Sequence, residues 1–349
     1  MAYTTITDPS AQFQTALYSG NGGGTNNVVN DGNSNLQPDF VWVKERSSTS
    51  SHALTNSNVG AGYILSSNNT NDQSSASAFT SFDSDGFTVG SDGKTNENGQ
   101  TYVGWQWKAA GGTTSTNYSG TINSTVQANT TAGFSIVTYT GTGSNATIGH
   151  GLGVVPEMII VKVRSAVDPW SVYHASNTSA PETDYLVLDS TAATADHSNR
   201  WNDTAPTSTL ISLGASGTVN GNGLTYIAYC FASIKGYSSF GSYIGNGSND
   251  GAYIYTGFKP RFIMLKGSSN VSSWNMYDTK RDPINRASQQ IKANEGNAEA
   301  STGAMDFLSN GIKMRTSDND FNGAGNPYVY MTFAENPFVA TNGVPATAK

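Results

Sequence analysis

A chain of 349 residues exceeds the roughly 250–300 at which one hydrophobic core stops growing, so several units are expected from size alone. Charged residues make up 12 %, hydrophobic 36 % and aromatic 11 %, which excludes a disordered chain and leaves a surface of Ser, Thr, Asn and Gly. The net charge of −7, with no Lys/Arg cluster, excludes a phosphate-neutralising nucleic-acid interface.

Residues 1–16 form an N-terminal arm that reads either as an ordered lead-in to the first domain or as a docking arm, with Asp8-Pro9-Ser10 placed to start a short helix. Met1-Ala2-Tyr3-Thr4-Thr5 has neither a basic nor an apolar signal region, so no Sec signal is expected. No apolar run approaches the roughly 18 residues of a membrane span, so no membrane insertion is expected.

From residue 17 onwards one pattern occurs three times. Its centre is a proline, a charged residue, four apolar residues and a lysine: Pro38 to Lys44, Pro156 to Lys162 and Pro260 to Lys266. Each run suits a strand buried on both faces, with Pro at its start. Upstream stand Tyr18-Ser19-Gly20-Asn21-Gly22, Tyr139-Thr140-Gly141-Thr142-Gly143 and Tyr243-Ile244-Gly245-Asn246-Gly247. Downstream, an apolar run precedes Asn68, Asp189 and Asn294. Turn-plus-strand signals follow at Asp85 to Val89, Ser216 to Val219 and Asn310 to Met314. Each copy closes on an aromatic strand beginning at Thr101, Thr225 or Pro327. The prolines lie 118 and 104 residues apart, a domain-sized period.

The strand signals, without sustained helical periodicity, predict an all-β fold of three tandem homologous β-sandwich domains at 17–108, 133–235 and 240–338. Phe40, Trp42, Met158, Ile160, Phe262 and Met264 are the expected inward residues, or their alternating neighbours if only one face is covered. The uncharged, small-residue segment 109–132 reads as a linker that attaches the first domain loosely, and 339–349 as a C-terminal tail. Ala, Gln, Lys and Glu accumulate between Asn285 and Ala300, which allows a helix or a long excursion over a sheet.

Chemistry has few candidates. Asp83 with Asp85, and Asp318 with Asp320, read as turn carboxylates; Asp318-Asn319-Asp320-Phe321-Asn322 offers oxygen ligands but lacks EF-hand spacing. His52, His150, His174 and His197 form no zinc-type pair. His52 and His174 are placed at related, polar surface positions. No Gly-x-Ser-x-Gly or phosphate-loop motif occurs, and Cys230 reads as a small buried hydrophobe. No catalytic, metal or cofactor residue is assigned. In copies two and three, Trp170, Tyr173, His174 and Trp274, Tyr277, Asp278 offer rings beside hydrogen-bonders. They read either as core or, if the rings face outward, as sugar-stacking platforms.

The signature of Pro, charge and β run, then Ser84-Asp85-Gly86-Phe87, Thr101-Tyr102-Val103 and Phe333-Ala334-Glu335-Asn336-Pro337-Phe338, resembles repeats in virion proteins of marine and cyanobacterial tailed phages. The resemblance covers about residues 17–338. It implies concanavalin- or jelly-roll-like sandwiches in a tail fibre, a spike or a capsid-surface protein. The partners it implies are other virion proteins, further copies of the chain (a trimer in a fibre) and host-surface glycan. The expected protein is non-enzymatic, made in the host cytoplasm and carried on the virion. The alternative is a polysaccharide depolymerase or lyase on the same scaffold.

Overall fold

The computed structural model describes residues 3–339 and is all-β, 43 % strand against 3 % helix. The Pro-to-Lys runs are strands Phe40–Glu45, Met158–Val163 and Phe258–Gly267, and all their residues except Arg261 are buried. Alternation splits each run between two cores. Phe40, Trp42, Met158, Ile160, Phe262 and Met264 point into one cluster shared by all three repeats. Their neighbours Val41, Val43, Ile159, Val161, Ile263 and Leu265 point into a core local to each repeat.

The strand order repeats as well. In repeat one the opening strand Phe13–Ser19 pairs with the closing strand Thr101–Trp107, which pairs with Phe40–Glu45 and then Ala53–Asn56. Phe134–Thr140, Thr225–Phe231, Met158–Val163 and Ser171–His174 take the same order in repeat two. Ser238–Ile244, Pro327–Pro337, Phe258–Gly267 and Asn275–Asp278 do so in repeat three. Every pairing among these strands is antiparallel. Shorter strands, among them Gly86–Val89, Leu210–Leu213 and Gly311–Met314, complete the three local cores from the other side. In repeat three both sets join in one nearly closed eight-stranded sheet.

The tyrosine-glycine punctuators have a packing reason. Tyr18, Tyr139 and Tyr243 stack on Tyr102, Tyr226 and Tyr328 at 5.0, 5.1 and 5.0 Å. A Cβ on Gly20, Gly141 or Gly245 would lie 2.1, 2.4 or 2.2 Å from the carbonyl oxygen of Glu97, Gly221 or Gly323. Glycine is therefore the only residue these approaches admit. The buried amides Asn96, Asn220 and Asn322 each accept the next backbone N–H, from Asn21, Thr142 and Asn246.

The repeats close into a ring. Asp168 N–H donates to Thr70 O (2.9 Å), Ser272 N–H to Thr191 O (3.0 Å) and Ser50 N–H to Gly296 O (2.8 Å), linking two to one, three to two and one to three. Inside the ring Phe40 meets Tyr229 at 4.3 Å, Phe13 meets Phe333 at 5.1 Å and Phe231 meets Phe333 at 6.1 Å. One repeat alone would expose its share of this centre to water.

The structure corrects some sequence expectations and decides between readings that the sequence left open. Residues 109–132 are not a slack linker, since Ser115–Asn117 and Ser124–Asn129 extend the sheet of repeat two. The segment is anchored where Ala109, Gly111 and Gly112 N–H donate to the buried Asp39 carboxylate at 2.6–2.8 Å. The arm belongs to the body: Pro9–Ala11 is a single 3-10 turn capped by Asp8, and Ile6 and Phe13 join the shared core. Residues 285–300 hold strand Ala287–Lys292 rather than a helix. Gly217–Asn220 is a helical turn, like Gly93–Asn96, and the strand equivalent to Gly311–Met314 is Leu210–Leu213. The expected tail lies, beyond Val339, outside the described residues.

Candidate functional site

The proposed stacking platforms are core, because the strands that carry them are sealed on both faces. Trp170, Tyr173 and His174 are at most 4 % exposed, and Trp274, Tyr277 and Asp278 at most 1 %. The two indoles bridge repeats: Trp170 Nε1 donates to Ser66 O at 3.0 Å and Trp274 Nε1 to Val187 O at 2.9 Å. Tyr173 and Tyr277 turn the other way, into the local cores. His174 Nε2 meets Tyr330 O at 3.0 Å, and Asp278 accepts Trp105 Nε1 at 3.1 Å. No ring of this set offers a face to a sugar.

Counting from the lysine corrects the histidine assignment. His52, Trp170 and Trp274 each stand eight residues after it, and Asn56, His174 and Asp278 twelve. His52 is thus the first repeat's substitute for tryptophan, buried and not at the surface. Its Nε2 meets Lys292 O at 3.1 Å, the carbonyl equivalent to Ser66 O and Val187 O. The Asn or Asp after the apolar run has a role here too. Asn68, Asp189 and Asn294 accept the backbone N–H of His52, Trp170 and Trp274 at 3.0, 2.8 and 2.7 Å. That spacing was visible in the sequence; the partner strand across the seam was not.

The other carboxylate candidates are held by local hydrogen bonds. Asp83 accepts from Ser81 Oγ and Thr88 Oγ1 at 2.7 Å, and Asp85 from Leu36 N–H at 3.1 Å. Asp318 accepts Asp320 N–H at 2.7 Å, and its carbonyl accepts Asn322 N–H. Among the described residues no three His, Cys, Asp or Glu side chains are grouped to hold a metal ion. Cys230 is buried, and burial pushes its thiol up to about 12.

The terminal lysines are the least expected buried groups. Lys162 Nζ donates to Thr70 O (3.0 Å) and Asp168 O (2.7 Å), and Lys266 Nζ to Thr191 O (3.1 Å) and Ser272 O (2.7 Å). Each therefore pins the loop of the preceding repeat at the seam. Lys44 Nζ donates to Glu45 O at 2.5 Å. Burial lowers all three to about 8.

The model of a domain of unknown function, DUF7483, matches residues 8–337, all three repeats in one unbroken span. The chain belongs to the DUF7483 family. No curated protein and no solved structure matches it.

In this DUF7483 domain the seam histidines make stability acid-sensitive. Burial lowers His52 to about 3 and His174 to about 4, below the ordinary 6.5. His52 Nδ1 accepts Trp42 Nε1–H at 2.8 Å and His174 Nδ1 accepts Ser176 N–H, which leaves the single ring proton on Nε2 in each. Above about pH 6.5 both states hold neutral rings and the full stability remains. Below it the unfolded chain takes protons first, so stability falls as pH drops towards 4, by on the order of 3 kcal/mol per histidine. Urea midpoints should fall steadily between pH 7 and 4. His174→Asn, which installs the residue repeat one carries there, should remove part of the fall, and a flat profile would refute the neutral seam.

Proposed function

We propose that this DUF7483 protein is a non-enzymatic structural component of a tailed-phage particle, carried in a tail fibre or spike or on the capsid surface. Its partners on this proposal are other virion proteins, and its repeats are concanavalin- or jelly-roll-like. The observation that carries the proposal is the use of its polar side chains. Lys162, Lys266, His52, His174 and Asp278, which could have served chemistry, instead tie one repeat to the next. A ring closed in this way suits a part that must survive outside the cell. The repeat signature and the low surface charge support the same reading. Trimerisation in a fibre remains part of the proposal, although the shared core is completed within one chain.

Peptide mass spectrometry and immunogold labelling of particles purified from a host culture that produces the protein provide the test. The expected result is the chain present in intact particles and labelled at their surface. Its absence from particles, or release of reducing ends or unsaturated sugars from envelope glycan by the purified chain, overturns the proposal.

A further inference from the structure

Repeat three carries two exposed aromatic rings on one short strand, Tyr253–Tyr255. The middle residue, Ile254, points into the local core, so alternation turns Tyr253 and Tyr255 outward together, 44 % and 60 % exposed. Two residues along a strand span about 6.6 Å. Neither ring swings freely. The Tyr253 hydroxyl donates to Asn310 Oδ1 at 2.7 Å, and the ring edge leans on Gly311, where a Cβ would come within 2.9 Å of Cε2. The Tyr255 hydroxyl stands with that of Tyr3 over Gly257, where a Cβ would lie 3.6 Å from the first and 3.0 Å from the second. Tyr3 is itself fixed, donating to Gly257 O at 2.6 Å.

The fold itself does not require these rings. Register aligns Ile254 with Val28 of strand Asn26–Val29 and with Ile148 of strand Ala146–Gly149, both in their own local cores. The outward positions beside them hold Asn27 and Val29 in repeat one, Thr147 and Gly149 in repeat two. Asn27 is bonded to Asp83 and Thr88, and Thr147 to Thr121. Only repeat three presents aromatic surface on this face. Lys313, opposite Tyr253, is paired with Asp250 at 3.0 Å, and Lys235 Nζ is held over the Tyr3 ring at 4.8 Å, so neither cation calls for an anionic ligand. Asn310 Nδ2, by contrast, has no hydrogen-bond partner among the described residues, and it stands beside the ring that its amide oxygen anchors.

We infer that Tyr253 and Tyr255 form a platform that stacks neutral sugar units of a glycan. A pyranose carries C–H groups on one face, and their slight positive charge suits the negative face of an aromatic ring. The hydroxyls at its rim accept hydrogen bonds, and Asn310 Nδ2 offers one beside Tyr253. Rings already held at their hydroxyl ends lose little freedom when a sugar settles on them. A platform without walls binds weakly, and several chains on one particle raise the avidity by linkage. The inference deepens the surface-protein proposal and rests on it only for the source of the glycan.

The test is saturation-transfer NMR on the purified full-length chain with cellotetraose, maltotetraose, xylotetraose, mannotetraose and chitotetraose at millimolar concentration. At least one of them should receive saturation from the protein. Tyr253→Ala with Tyr255→Ala should weaken its affinity at least about tenfold with an unchanged melting temperature, because both side chains face solvent. Tyr253→Phe with Tyr255→Phe keeps the rings and should retain more binding than the alanine pair. If the alanine pair melts early, Tyr255→Ala alone, at the more exposed ring, carries the comparison. No transfer to any member of the panel overturns the inference, and so does transfer undiminished by alanine or lost equally with phenylalanine. Self-association of the native chain that the alanine pair abolishes overturns it too, by making the rings an interface between copies. Each of these failures leaves particle localisation standing, because that is measured separately.

Discussion

Replacing Trp274 with Ala should cost about 3–5 kcal/mol, a large fraction of the 5–15 kcal/mol that holds a typical folded protein together. The side chain is 1 % exposed and belongs to the core shared by all repeats. Removing it opens a cavity and strands Val187 O, whose N–H donor across the seam is the indole. Repeat one indicates a milder substitution, since His52 holds the equivalent place and reaches the equivalent carbonyl. Trp274→His should therefore lose less than Trp274→Ala in urea titrations. A Trp274→Ala protein with an unchanged midpoint would mean that the ring is not packed as described.

Arg281→Ala should cost as much by a different route. Its guanidinium is fully buried between Asp278 (2.6 Å) and Glu299 (2.8 Å), donates to Met276 O, and lies 5.5 Å from the Trp105 ring. Glu299 is also held by Arg46 of repeat one at 2.8 Å, so the network spans the seam between the first and last repeats. That seam joins segments more than two hundred residues apart and closes the ring. Truncating Arg281 leaves a buried carboxylate without its counter-ion, a loss of about 3–5 kcal/mol. Arg46→Ala, at a side chain 22 % exposed, should cost only about 1 kcal/mol. Equal effects of the two substitutions would contradict the difference in burial on which this rests.

Much of the fold was legible in the residues. The six inward positions of the Pro-to-Lys strands followed from a β run with no polar interruption, and all six lie in the shared core. The Pro-to-Lys run and the closing aromatic strand recur in the same order along the chain, and the strands they form pair in the same order in each repeat. Alternation, turn chemistry and strand propensity are local properties, set by neighbours along the chain.

What only the tertiary structure decided was the relation between units. A strand buried on both faces is compatible with a private core on each side, and only the assembled ring shows that one side is common to three repeats. The same holds for the candidate site. Trp, Tyr and His beside Asn or Asp have one composition whether they stack on a sugar or bond a neighbouring repeat, and burial across a seam depends on residues roughly a hundred positions away. The lysine that ends each run could be read from sequence as a charged strand terminus. Its burial against the carbonyls of Thr70 and Thr191 depends on the preceding repeat being in place, and a period read along one chain does not carry that information.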